Sequence, residues 1–310
     1  MSTSTTSFVV VGDINLSKKC RKTFTRLYGY KSQLNRVKKL ISHLNKTKPE
    51  FVIFLGNIIY SQNPQKRQKI IHHFQKELEK LKITYYMLPG KVDLYNKTTL
   101  NRNPNYDIGN FLNSIQQFKQ DFNTTEKFAF YKNSTQLIGL TSEYWAANFK
   151  ELMNGEVTNK SVPEILSSQT NFLQTELNKK YSPSGTEIKK RILFTNKFFS
   201  KDAPSKSLTR TIFQKAEHNK NSIYDIIKRI TTAEIPITTV LSAGDQKAEK
   251  IDWKVQIGDE IFDHSCNLTS HKIKPVDSAS KISSVLGSSV IYHECKIVED
   301  GNIILNKIKI

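Results

Sequence analysis

Three apolar, β-branched runs near the N-terminus each stop at a glycine, and this repeated arrangement constrains the chain most. Phe8-Val9-Val10-Val11 ends at Gly12-Asp13, Phe51-Val52-Ile53-Phe54-Leu55 ends at Gly56-Asn57, and residues 83–88 end at Pro89-Gly90. Short continuous apolar runs of this kind suit strands buried on both faces of a parallel sheet. Between them, Leu34, Val37, Leu40, Ile41 and Leu44, and then Ile70, Ile71, Phe74, Leu78 and Leu81, recur at helical spacing. The resulting β-α-β-α-β order predicts a parallel sheet with helices packed on it.

Farther along, the patterning predicts a helix over 108–118, a strand over 136–140 and a helix over 166–177. A strand follows over 192–194. Ile223, Ile226, Ile227 and Ile230 mark another helix, and a strand over 237–241 ends at Ser242-Ala243-Gly244. Residues 96–106, 151–163 and 200–221 read as polar connections. The tail turns to β patterning, and residues 291–298 and 303–310 flank Glu299-Asp300-Gly301-Asn302, a hairpin signal. With no internal repeat and no composition break, residues 8–310 read as one α/β domain behind a short polar tail, residues 1–7.

Five loops follow strand ends, where parallel α/β sheets gather their function. They are Gly12-Asp13-Ile14-Asn15, Gly56-Asn57-Ile58-Ile59-Tyr60, Gly90-Lys91-Val92-Asp93, Thr195-Asn196-Lys197 and Gly244-Asp245-Gln246-Lys247. Their order and spacing resemble the calcineurin-like metallophosphoesterases, above all the purple acid phosphatase branch, which reads D-x-G, G-D-x-x-Y, G-N-H-[DE], V-x-x-H and G-H-x-H. Gln169-Thr170-Asn171-Phe172-Leu173 followed by Leu177 is similar to that family's Gln-x-x-Trp-Leu helix. The resemblance implies a β-sandwich of two mixed sheets face to face, flanked by helices.

The resemblance also implies that most metal ligands are gone. A dinuclear hydrolytic site needs carboxylates, imidazoles and an amide to hold two cations and generate hydroxide. Asp13 keeps a ligand position and Tyr60 stands where the purple branch has its metal-binding tyrosine. Asn57 replaces the bridging carboxylate, Lys91 the ligand Asn, and Val92 and Asn196 two His. Asp245 and Lys247 stand at the His pair of the last motif. Asn15 belongs to the first vestigial loop, and Asp93 survives as a supporting residue. The histidines His43, His72, His73, His218, His264, His271 and His293 all lie outside these loops. The expectation is therefore a pseudophosphatase with no catalytic residue, no bound metal and no cofactor. Lys91 and Lys247 are expected to offset Asp13, Asp93 and Asp245 by charge-assisted hydrogen bonds. Two alternatives stand beside this. One is an enzyme with a rebuilt metal site using Asp13, Tyr60, Asp245 and a distant His. The other is a phosphate-binding module gripping its ligand with Lys91, Lys197 and Lys247.

Charge suggests what such a protein could meet. The 310 residues carry 47 Lys and Arg against 28 Asp and Glu, a formal net charge of +19. That excess favours polyanionic partners. Residues 14–49 hold eleven Lys and Arg and no acid. Within them, Lys18, Lys19, Arg21, Lys22, Arg26 and Lys31 interleave with Phe24, Tyr28 and Tyr30, a pattern suited to phosphate backbones and stacked bases. A second basic stretch covers 187–220. The expected role is a structural or scaffolding subunit of a larger assembly, with protein partners, and with RNA or another polyanion at the 14–49 segment. An acidic protein or a membrane face would serve the charge equally.

Cys20, Cys266 and Cys295 are too few and odd in number for a disulfide framework. With no long apolar run and no signal-like start, the expectation is an intracellular protein of the cytoplasm or an organellar matrix. His264-Ser265-Cys266 and His293-Glu294-Cys295 form two His-x-Cys pairs that could share zinc. Strand alternation alone also produces such pairs.

Overall fold

The computed structural model describes residues 5–16, 30–61, 64–94, 108–143, 161–196, 233–235, 237–243, 250–251, 255–257, 260–262, 268–273, 290–298 and 303–310. The chain divides into two compact units, Met1–Asn103 with Gly109–Glu126 and Ile273–Ile310, and Pro104–Ile108 with Lys127–Lys272. Each carries one mixed sheet, and helices flank the sheets.

In the first unit, β1 (Thr6–Val11), β2 (Phe51–Phe54) and β3 (Thr84–Met87) run parallel, with Val10 opposite Ile53 and Ile53 opposite Tyr86. The C-terminal hairpin expected from Asp300-Gly301 forms as β12 (Ile291–Ile297) and β13 (Ile303–Lys309). It adds to β1 antiparallel, with Cys295 opposite Phe8, so the strand order is β13-β12-β1-β2-β3. Helices α1 (Tyr30–Thr47), α2 (Pro64–Leu78) and α4 (Ile108–Phe122) and the one-turn α3 (Lys91–Leu94) complete the unit. The predicted apolar stripes face inward: Val37, Leu40, Ile41 and Leu44 of α1, and Ile70, Ile71, Phe74 and Leu78 of α2, are all buried. Phe74 meets Phe54 of β2 at 6.5 Å and His43 of α1 meets Tyr292 of β12 at 5.7 Å. The register places Phe54 and Tyr292 on one sheet face, so α1 and α2 cover the same face. Phe8 and Phe51 stack at 4.8 Å on the other.

The second unit holds β4 (Lys127–Lys132), β5 (Thr135–Leu140), β6 (Lys190–Thr195), β7 (Ile237–Ala243) and α5 (Ser161–Leu177). Four further strands follow, the first three of them short: β8 (Lys250–Ile251), β9 (Val255–Ile257), β10 (Glu260–Phe262) and β11 (Leu268–Ile273). The sheet order is β4-β5-β6-β7-β11-β8, and β9 and β10 form a separate ribbon. Strands β5, β6 and β7 are parallel, as a buried sheet interior favours. Leu173 and Leu177 of α5 pack with Ile138, Leu193 and Val240, which accounts for the Gln-x-x-aromatic-Leu pattern: its leucines are core. Sequence patterning misses β4. Its residues are half-buried throughout and so show no alternation, and the strand is fixed by pairing with β5 across a tight turn at Asn133 (φ 53°). The helix predicted around Ile223–Ile230 lies outside the described residues.

The N-terminal ends of β5 and β6 are tied by a buried guanidinium. Arg191, fully buried, donates Nε–H to Gln136 Oε1 at 2.6 Å and its other N–H groups to the carbonyls of Ile235, Glu176 and Lys179. Gln136 in turn donates to Glu176 Oε2 at 2.8 Å, and Lys179 holds Glu176 Oε1 at 2.7 Å. The positive charge is buried only because every donor has a carbonyl or amide partner.

Candidate functional site

The three parallel strands of the first unit end side by side, so their loops meet. Leu55 N–H donates to Val11 O and Leu88 N–H to Phe54 O, both at 2.9 Å, which carries the sheet past the strands. The first two loops then run together. Asn15 N–H donates to Asn57 O and Leu16 N–H to Ile58 O, both at 2.8 Å, and Tyr60 N–H returns to Leu16 O at 2.7 Å. Asn15 and Asn57 both have φ 52° and Gly56 has φ 84°, a region that Asn and Gly enter at least cost. Gly56 and Gly90 are needed for closeness as well. A Cβ on Gly56 would lie 2.4 Å from Gly90 N, and one on Gly90 would lie 2.4 Å from Asn57 N.

Asn57 joins all three loops through one amide. Its Nδ2 donates to Asp13 Oδ1 at 3.0 Å, and its Oδ1 accepts Val92 N–H at 3.1 Å. Asp93 is turned inward and buried. Its Oδ1 accepts the N–H groups of Ile58 (2.8 Å) and Ile59 (2.9 Å), and its Oδ2 accepts that of Gly90 (2.9 Å). Tyr60, by contrast, is 40% exposed.

Arg67, which sequence reading did not single out, closes this network from the first turn of α2. Nη1 donates to Ile59 O and Val92 O, both at 3.3 Å, and Nη2 to Asp93 O at 2.6 Å. Its charge acts on the Asp93 carboxyl. The charge compensation expected of Lys91 and Lys247 falls on side chains that the structure does not describe. The Lys91 side chain lies outside the described residues, as do Asp245, Lys247 and Lys197. The only trace of Arg67 in the sequence is a long cation seven residues past a motif loop, on a helix rich in cations.

Burial pushes the Asp93 carboxyl up to about 6, against the opposing pull of Ile59 N–H, Arg67, and the Gly90 and Ile58 N–H groups. A carboxyl raised in the folded state contributes stability that is complete below its unfolded value near 4. That contribution is lost as pH rises through 6. The full swing is about 3 kcal/mol. Urea unfolding of the wild type relative to Asp93→Asn should therefore show a stability gain on acidification from pH 7 to 5 that the variant lacks. Equal pH dependence in the two proteins refutes this.

In the second unit, Asn196 follows β6 and is fully buried. Its Oδ1 accepts Ser142 N–H at 2.8 Å and the hydroxyls of Ser142 (3.0 Å) and Thr141 (3.2 Å), while Nδ2 donates to Glu143 Oε1 at 2.5 Å. Glu143 itself is 1% exposed. The Thr141-Ser142-Glu143 loop after β5 is not among the candidate loops of the sequence. The signal was there, a carboxylate three residues past a strand end.

Of the basic segment, Lys18, Lys19, Arg21, Lys22 and Arg26 lie outside the described residues, and so does the side chain of Lys31. His293 and Cys295 sit two apart on β12, both buried, opposite Val10 and Phe8. Burial pushes the Cys295 thiol up, beyond the ordinary thiol range. His264 and Cys266 lie outside the described residues. Among the described residues no helix is long and apolar enough to cross a membrane.

Two mixed sheets flanked by helices are an architecture that solved phosphatases also have. The chain is similar to a dimetal phosphatase from Danio rerio, at 12% identity and TM-score 0.58, over 98% of each chain. It is also similar to a purple acid phosphatase from yellow lupin seeds, at 11% identity and TM-score 0.52, over 99% of this chain and 52% of the lupin one. The chain shares its fold with these two phosphatases. No protein-family model matches the sequence, and no curated protein matches it.

Proposed function

We propose that this chain is a metallophosphoesterase-fold protein without hydrolytic activity, serving as a structural or binding subunit of a larger assembly. The Asn57 amide carries the reading. At the position the resemblance gives to the bridging carboxylate stands a neutral group. Its oxygen is engaged by Val92 N–H and its nitrogen by Asp13. An amide offers no charge to share between two cations. Asn196, at a position the resemblance gives to His, is likewise enclosed by Thr141, Ser142 and Glu143. Among the described residues no group of three or more His, Cys, Asp or Glu is placed to hold a metal ion. The described donors do not fit a dinuclear centre.

Elemental analysis of the purified chain, with turnover of a generic aryl phosphate measured on the same sample, tests this. Substoichiometric metal and a rate equal to the blank are expected after incubation with Mn, Fe or Zn. Stoichiometric metal with turnover would return the chain to the enzymes. The excess of basic residues supports a polyanionic partner. Affinity purification from native cells, with and without nuclease, asks whether nucleic acid links the chain to a larger particle.

A further inference from the structure

We infer that the outer face of α1 and α2 binds the phosphate backbone of double-stranded nucleic acid. The inference deepens the polyanion part of the proposed function and does not depend on whether catalysis has been lost.

The two helices lie side by side on one sheet face. Tyr30 meets His73 at 2.7 Å, Lys38 meets Glu77 at 3.9 Å, and Asn45 donates to Lys80 O at 2.7 Å. These contacts advance together along both helices, so the helices are parallel neighbours. Their inward stripes are apolar and their outward stripes are cationic. On α1 the exposed residues include Lys38, Lys39 and Lys46, and on α2 Lys66, Lys69 and Lys76. Helical rise spreads the α2 row over about 15 Å, and neighbouring helix axes lie about 8–10 Å apart. The face is thus a broad basic patch. The acid at its centre, Glu77, is buried and already pairs with Lys38 and Lys80; among the described residues, exposed Glu50 and Glu79 lie just past the C-terminal ends of the two helices.

What the patch lacks selects its partner. The large exposed hydrophobic residues among the described ones are Tyr60, Tyr181 and Ile304, and none stands on these helices. A protein interface needs aromatic or aliphatic anchors, and an interfacial membrane helix needs an apolar face. Single-stranded nucleic acid needs aromatic platforms for its bases. A duplex backbone needs only spaced cations and small donors, and exposed Asn35, Ser42, Gln65 and Gln68 supply donors in the same rows.

Fluorescence anisotropy tests the inference with the full-length chain. The probes are a short duplex RNA, the DNA duplex of the same sequence, a single strand, and vesicles of anionic lipid. The wild type should bind one or both duplexes with an affinity that falls steeply with salt. The quadruple variant Lys39→Gln, Lys46→Gln, Lys69→Gln, Lys76→Gln should bind about 10–100-fold more weakly at low salt. Its log–log salt slope should be shallower by about 3. Lys307→Gln with Lys309→Gln on β13 should change affinity less than about threefold. The altered side chains are exposed, and an unchanged far-UV spectrum and melting midpoint would confirm that the variants fold. A quadruple variant that binds like the wild type overturns the placement while leaving the polyanion reading intact. Binding to vesicles alone overturns the choice of partner. Binding to no probe defeats both, and elemental analysis would still decide the loss of catalysis.

Discussion

Arg67→Ala is expected to destabilise the fold by about 2–4 kcal/mol, because the substitution leaves three loop carbonyls without their donor and removes a positive charge that acts on the buried Asp93 carboxyl. Arg67 donates to Ile59 O, Val92 O and Asp93 O, so it binds the second and third loops to each other and to α2. Asp93 stays behind when the side chain is truncated, buried and facing inward. The three N–H groups that bind its carboxylate cannot replace a full counter-charge. Burial already lowers the Arg67 guanidinium below its usual range, with Asp93 and then Asp121 drawing it back up. The double variant Arg67→Ala, Asp93→Asn should recover part of the loss, since it removes the orphaned charge. Chemical denaturation of the single and double variants measures both terms. A loss under about 1 kcal/mol for Arg67→Ala would show that the guanidinium is peripheral to the loops.

Gly56→Ala is expected to cost about 3–4 kcal/mol. The new Cβ would stand 2.4 Å from Gly90 N, 2.7 Å from Gly90 Cα and 2.9 Å from Leu88 O. These are backbone atoms in a hydrogen-bonded loop and cannot rotate away. Overpacking of this kind costs about 1–3 kcal/mol. The left-handed backbone at φ 84° adds about 1–2 kcal/mol for any residue with a Cβ. Gly185 separates the two contributions. It has φ 82°, and a methyl group there would meet nothing within 4 Å, so Gly185→Ala should show the conformational cost alone, about 1 kcal/mol. Equal losses at the two glycines would mean that the contact between the second and third loops is looser than the distances imply.

These variants address positions that the sequence marked unevenly. Gly56, Asn57, Gly90 and Asp93 stand in motif loops and could be picked out from their place after apolar runs. Glu143 stands just past a strand end, but neither its partner nor that of Arg67 could be read there. Each acts through side-chain reach across the fold: Arg67 to carbonyls 8 and 25 residues away, Glu143 to an amide 53 residues away. No local pattern encodes such a partner. Similarly, β4 escapes detection because a strand half-buried along its length shows no alternation, whereas β1 and β2 are plain because both faces are buried.

Local patterning was enough to set the order of the first five elements, the inward faces of α1 and α2, the closing hairpin, and the three loops that meet in the first unit. Each of these depends on periodicity and on glycine at strand ends, which neighbouring residues settle among themselves. Three outcomes waited on the folded chain: Asn57 uses both ends of its amide between Asp13 and Val92, Asp93 faces inward on three N–H groups, and Arg67 binds the carbonyls of Ile59, Val92 and Asp93. They depend on which groups folding brings within hydrogen-bond distance, and burial makes each unmet partner costly enough to select one arrangement.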